Sequence, residues 1–141
     1  MTTYSVSETI AAAPERIWAL LTDAGSYPDW NSTIISMEGE IAPGNRIKLV
    51  STVNPKRAFK LNVVEMDEPR RMVWSDGMPL GLFSGVRTYT LAARPDGQTE
   101  FEMVEIYSGL LEPLISRSIP DMTDSFAEFA ASLKNAAETE S

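Results

Sequence analysis

The sequence predicts an α+β fold: a curved antiparallel sheet of seven strands wrapped around a long C-terminal helix, with two short helices between the first two strands. Three observations carry this prediction. Ile115, Ile119, Met122, Phe126, Phe129, Leu133 and Ala136 recur at intervals of four and three, one stripe along a helix from Leu111 to Glu138. Between Ile34 and Tyr107 the apolar residues instead alternate at period two, interrupted by short turn sequences. Consecutive strands joined by such turns build an antiparallel meander, and the one large helical stripe has to be buried against its apolar face. A sheet curved around a single helix leaves space between them, so a pocket is expected there.

The elements follow in order. Tyr4, Val6, Glu8 and Ile10 alternate with Ser5, Ser7 and Thr9 in a first strand. Pro14 is preorganised for a first helical position and Glu15 suits the positive end of the helix dipole. Ile17, Trp18, Leu20 and Leu21 give the buried face of a helix from Pro14 to Thr22. Tyr27 and Trp30 flank Pro28 and predict a second helical turn whose aromatics plug one end of the core. Ile34, Ile35 and Met37 begin the second strand; Pro43-Gly44 signals a type II turn, and Ile47 and Leu49 alternate with Lys48 in the third. Asn54-Pro55-Lys56 predicts a turn, and Arg57 to Met66 a strand with Phe59, Leu61 and Val63 on one face. Met72 and Trp74 mark the fifth strand, and Gly77 to Leu82 is an unusually apolar loop.

Phe83 to Ala93 and Thr99 to Tyr107 form a hairpin around Pro95-Asp96-Gly97. If Ala93 faces Thr99, the inward pairs become Leu91–Phe101, Tyr89–Met103 and Arg87–Glu105. Pro120 removes a backbone hydrogen bond from the C-terminal helix, so a break is expected at Ser118–Pro120, with the better half from Asp121 to Ala137. Thr139 to Ser141 should fray. No repeat or linker interrupts residues 1–141, a length that suits a single domain.

Composition narrows the function. Twelve basic against 20 acidic residues give a net charge of −8, which argues against nucleic acid and against anionic membrane surfaces. Without cysteine there is no disulfide, thiol nucleophile or thiolate metal site. Without histidine the commonest general base and metal ligand are gone, so catalysis would rest on carboxylates, Lys, Tyr, Ser or Thr. The carboxylates are scattered without metal-ligand spacing, and no glycine-rich phosphate loop lies between a strand and a helix. No metal or cofactor is therefore expected. The first residues lack a signal-peptide pattern and no apolar run approaches ~18 residues, so a cytoplasmic protein without a membrane span is expected.

The run Ala13-Pro14-Glu15-Arg16-Ile17-Trp18, then Leu21-Thr22-Asp23, Tyr27-Pro28-Asp29-Trp30-Asn31, Gly44, Trp74 and the closing Phe126, Phe129, Leu133, Lys134 and Glu138 resemble the START-like (SRPBCC) superfamily. That superfamily includes polyketide cyclases and dehydrases, lipid-transfer domains and the birch-pollen allergen. The likeness spans Thr3 to Glu138 and is greatest to bacterial single-domain proteins of the polyketide cyclase/dehydrase type. It implies the helix-grip fold and a cavity for a hydrophobic ligand, but no single activity, since the fold hosts enzymes, carriers and sensors. The histidines that some relatives use have no counterpart here.

The candidate cavity-lining residues are Trp30, Phe59, Leu61, Trp74, Leu82, Arg87, Tyr89, Phe101, Met103, Glu105, Tyr107, Met122 and Phe126. Arg87 with Glu105 is either a polar anchor for a ligand or a structural ion pair near the rim. The hydroxyls of Tyr89 and Tyr107 are further donors, and Met72, Met103 and Met122 suit an adaptable wall. Met78 to Leu82 and Leu110-Leu111 are apolar loops fit for a pocket mouth, a homodimer contact or a plug in the core. The leading expectation is a protein that binds a hydrophobic or aromatic small molecule, lipid- or polyketide-like. The alternatives are a cyclase-type enzyme, with Arg87, Glu105 or a tyrosine assisting enolisation, and an interaction module that uses the apolar loops.

Overall fold

Residues 1–139 are described by a computed structural model. They form seven antiparallel strands in one sheet of order β1-β7-β6-β5-β4-β3-β2. The strands are β1 (Thr2–Ile10), β2 (Ile34–Glu38), β3 (Arg46–Ser51), β4 (Asn54–Asp67), β5 (Arg71–Met78), β6 (Phe83–Ala93) and β7 (Thr99–Ser108). The helices are α1 (Pro14–Leu21), α2 (Tyr27–Trp30), α3 (Glu112–Ser116) and α4 (Thr123–Thr139), with one 3-10 turn at Ala24–Ser26. The meander runs in chain order from β2 to β7, and β1 returns to pair with β7.

Turn chemistry sets the registers. Asn45 N–H donates to Ala42 O across Pro43-Gly44, and Gly44 has φ +86°, the left-handed value a type II turn requires at that position. Gly97 closes the β6–β7 turn in the same left-handed region. Ala93 faces Thr99, and Leu91–Phe101, Tyr89–Met103 and Arg87–Glu105 are paired, the register expected from the turn. The β3–β4 connection differs from expectation. Its turn lies at Thr52-Val53, where Val53 N–H donates to Ser51 Oγ, and Asn54 already pairs with Ser51. Pro55 falls in the register shift before Ala58 pairs with Val50, a place where no ladder N–H is needed.

Irregularities curl the sheet. The shift between Ile34 and Ser36 leaves Ile35 in solvent and buries both Ile34 and Met37, which strict alternation would not do. A second shift lies between Val63 and Glu65. On the concave face, α1 buries Ile17, Trp18 and Leu21, and the Tyr27 hydroxyl donates to Leu21 O at 2.6 Å. Asn31 Oδ1 accepts from both the amide and the hydroxyl of Thr33, which fixes the entry to β2.

The C-terminal helix is divided. Residues Arg117 to Met122 are not helical, because Pro120 offers no N–H and disfavours helical geometry in the residue before it. The Ser118 hydroxyl closes α3 on Ile115 O, and Asp121 Oδ1 accepts from the amide and hydroxyl of Thr123 as α4 begins. The helix α4 buries Phe126, Phe129, Ala130, Leu133 and Ala137, so its stripe ends on Ala137 where Ala136 was expected. Lys134 Nζ donates to Thr9 O, and Glu138 Oε2 accepts from Ala11 N–H, which clamps α4 to the end of β1. Thr139 is the last residue of α4; of the three residues expected to fray, Glu140 and Ser141 lie outside the described residues.

Candidate ligand-binding cavity

Between the concave face of the sheet and the segment from Ile115 to Phe129 lies a cavity of about 250 Å³. Its apolar wall comes from Leu49, Phe59, Leu61, Trp74 and Met103, placed on one face by strand alternation. Ile115, Ile119, Pro120, Met122 and Phe126 cover it. The cover is thus the broken segment and the first turn of α4, rather than the length of a continuous helix.

The inner strands bring polar groups to one end. Arg87 Nε donates to Glu105 Oε1 at 2.5 Å, with the two side chains 17% and 13% exposed. The guanidinium also lies over the Phe126 ring, 5.0 Å from its centroid. Burial works against the Arg87 charge, but Glu105 and the neighbouring Tyr89 hydroxyl outweigh it, and the net effect holds Arg87 more firmly protonated. Burial pushes the Tyr89 hydroxyl up to about 12, with Arg87 pulling the other way. Burial also raises Tyr107, and the charge of Glu105 beside it adds to the rise. Behind the wall, Trp74 Nε1 and the Tyr89 hydroxyl are buried with no hydrogen-bond partner of good geometry among the described residues.

The structure brings nine of the thirteen candidates to this cavity: Phe59, Leu61, Trp74, Arg87, Met103, Glu105, Tyr107, Met122 and Phe126. It sets four elsewhere, each for a physical reason. Tyr89 and Phe101 point inward but lie under Phe129, whose ring sits 6.0 and 6.5 Å from theirs, so that ring covers them. Trp30 packs between Tyr27 and Phe129 and borders a shallow groove with Arg16 and Asn135 instead. Leu82 is held in the β5–β6 loop by Leu111 N–H, which donates to its carbonyl, and the inward alternation starts one residue later at Phe83. Sequence reasoning missed Val53, Arg57, Asp76, Gly85 and Ile115 in the wall. For Gly85 and Asp76 a signal existed, since both share the inward parity of residues it did select, Arg87 and Trp74.

The apolar loops do not line the cavity. Leu80, Leu110 and Leu114 are exposed at one end of the sheet, where Leu110 N–H donates to Gly81 O. Among the described residues no group of acidic side chains is placed to hold a metal ion, and no helix is long and apolar enough to cross a membrane.

A sequence profile for the family described as polyketide cyclase/dehydrase and lipid transport matches residues 1–138. The chain belongs to this family. No curated protein sequence matches the polyketide cyclase/dehydrase-like chain. Its fold is that of several solved structures. A protein of Mesorhizobium loti is 19% identical with a TM-score of 0.76, the match covering 99% of each chain. A START superfamily protein from Mycobacterium smegmatis is 16% identical with a TM-score of 0.73 over 97% of each chain. The di-domain ARO/CYC BexL of the BE-7585A biosynthetic pathway is 16% identical with a TM-score of 0.72, covering 98% of this chain and 47% of that one. At these identities the likeness concerns the fold, the curled seven-stranded sheet with its C-terminal helix.

Proposed function

We propose that this polyketide cyclase/dehydrase-like protein binds a compact hydrophobic or aromatic small molecule, with Arg87 and Glu105 at the polar end of its site. The cavity carries the reading: a core whose aromatic and aliphatic side chains were free to close over it instead keeps about 250 Å³ of space against a part-buried ion pair. Apolar walls with a few convergent polar groups are the usual make-up of a small-molecule site. A cavity of about 150 Å³ accommodates benzene, so this one has room for roughly ten non-hydrogen atoms, about two fused rings. Binding is favoured over turnover because Glu105 is already committed to Arg87, and the other acid of the wall, Asp76, accepts from the Gly77 amide.

The test joins native mass spectrometry of the purified protein with a thermal-shift screen of one- and two-ring compounds. Gly85→Val is the control. Gly85 lines the cavity at an ordinary backbone angle, and an added Cβ would meet the Tyr107 ring at 3.3 Å and the Asp76 carbonyl oxygen at 3.9 Å. The expected result is a bound small molecule or a concentration-dependent rise in melting temperature that Gly85→Val abolishes. No shift from any compound, with no ligand retained, would overturn the reading.

A further inference from the structure

Resting on that reading, we propose that the ligand is uncharged and presents a carbonyl or similar neutral acceptor to Arg87, rather than a carboxylate. Charge is the first argument. The cavity wall holds two cations, Arg57 and Arg87, and two anions, Asp76 and Glu105. Arg57 stacks on Phe59 at the exposed side, where water screens it, so it gives an anion little to gain. At the inner end the Arg87 charge is already neutralised by Glu105 at contact distance. A carboxylate placed there would leave one negative charge unbalanced in a poorly hydrated site, a large desolvation cost. The chain's net charge of −8 adds a long-range bias against anions approaching the mouth.

Hydrogen-bonding supply is the second argument. Glu105 accepts from Nε of Arg87 and the Tyr89 hydroxyl lies within hydrogen-bonding reach of the guanidinium, but the five N–H groups of an arginine exceed these two partners. The buried indole N–H of Trp74 has no hydrogen-bond partner among the described residues. Arg87 thus has N–H groups beyond those its neighbours take up, and a ligand oxygen with free lone pairs is favoured. An arginine with N–H groups to spare and its charge already balanced describes a site for a neutral acceptor. An apolar hydrocarbon would fill the space and leave the arginine edge unsatisfied.

Three probes of similar size separate the cases: tetralin, with no acceptor; tetralone, with a neutral carbonyl; and naphthoate, an anion. Calorimetric titration at neutral pH should show tetralone bound about tenfold or more tightly than either of the others. In the doubly substituted Arg87→Met/Glu105→Leu protein, tetralin should bind at least as well as before and the preference for tetralone should vanish. Tighter binding of naphthoate, or equal binding of tetralin and tetralone, would overturn the inference while leaving the cavity a binding site. A tetralone preference that survives the double substitution would overturn the assignment to Arg87. Failure of all three probes to bind would overturn the inference together with the binding reading on which it rests.

Discussion

Removing Arg87 tests the energetic core of the site. In Arg87→Met the apolar stem is largely preserved, but Glu105 loses its ion pair while remaining only 13% exposed. Breaking a buried pair from one side costs about 3–5 kcal/mol, and the contact with a cavity puts this site at the lower end, about 3 kcal/mol. Loss of the guanidinium from the Phe126 face adds up to about 1 kcal/mol. For a chain of this length a loss of that size lowers the melting temperature by on the order of 10 °C. Glu105→Leu strands the arginine instead and should cost a similar amount. The double variant replaces the pair by apolar groups of comparable volume and should return to within about 1 kcal/mol of the starting protein. Chemical denaturation of the four proteins then gives a coupling energy above about 2 kcal/mol. Additivity to within about 0.5 kcal/mol would mean the two side chains do not meet in solution, and the polar end of the cavity would have been misassigned.

Three further outcomes are expected. Phe126→Ala, at a position 2% exposed between Tyr4 and Arg87, should lower the unfolding free energy by about 3–5 kcal/mol in denaturant titration. Tyr89 ionises near 12 when folded against about 10 when unfolded, so its contribution to stability is complete below pH ~10 and is lost as pH rises through the folded value. Tyr27 and Tyr107 are shifted the same way, so tyrosinate absorbance should show these three ionising together with unfolding. Glu138 is held below the usual carboxylate range by the Ala11 amide and then by Lys134. Its contribution is therefore present at neutral pH and lost as pH falls through its folded value, and Glu138→Gln should lower the melting temperature at neutral pH but not in acid.

The sequence made the hairpin readable because Pro95-Asp96-Gly97 fixes a register, and a register fixes which side chains share a face. It made the break before α4 readable because proline has one consequence in a helix wherever it occurs. The four misplaced lining residues have a different origin. Parity places Tyr89 and Phe101 on the concave face, but which inward residues meet a cavity and which lie under Phe129 depends on where α4 crosses the sheet, and no local pattern encodes that. The shifts near Ile34 and Val63 also escape, because a bulge adds a residue to one strand without a turn residue to mark it. Pro55 misled for a related reason: a proline in a register shift looks like a proline in a turn.

The pairing of β1 with β7 has a consequence for how the chain is assembled. Thr2 faces Tyr107 and Ile10 faces Thr99, so the first strand of this sheet is paired, among the described residues, with the last alone. The strands β2 to β7 can add one to the next as they are made, by local closures that are entropically inexpensive. The strand β1 must wait until β7 is made, with Tyr4, Val6 and Ile10 unshielded by α4. A chain halted before Thr99 would expose both β1 and β6 as open edges, with the apolar concave face uncovered between them. In this architecture the vulnerable interval is therefore the one before the last strand, and translational pausing in the β6–β7 turn would lengthen it.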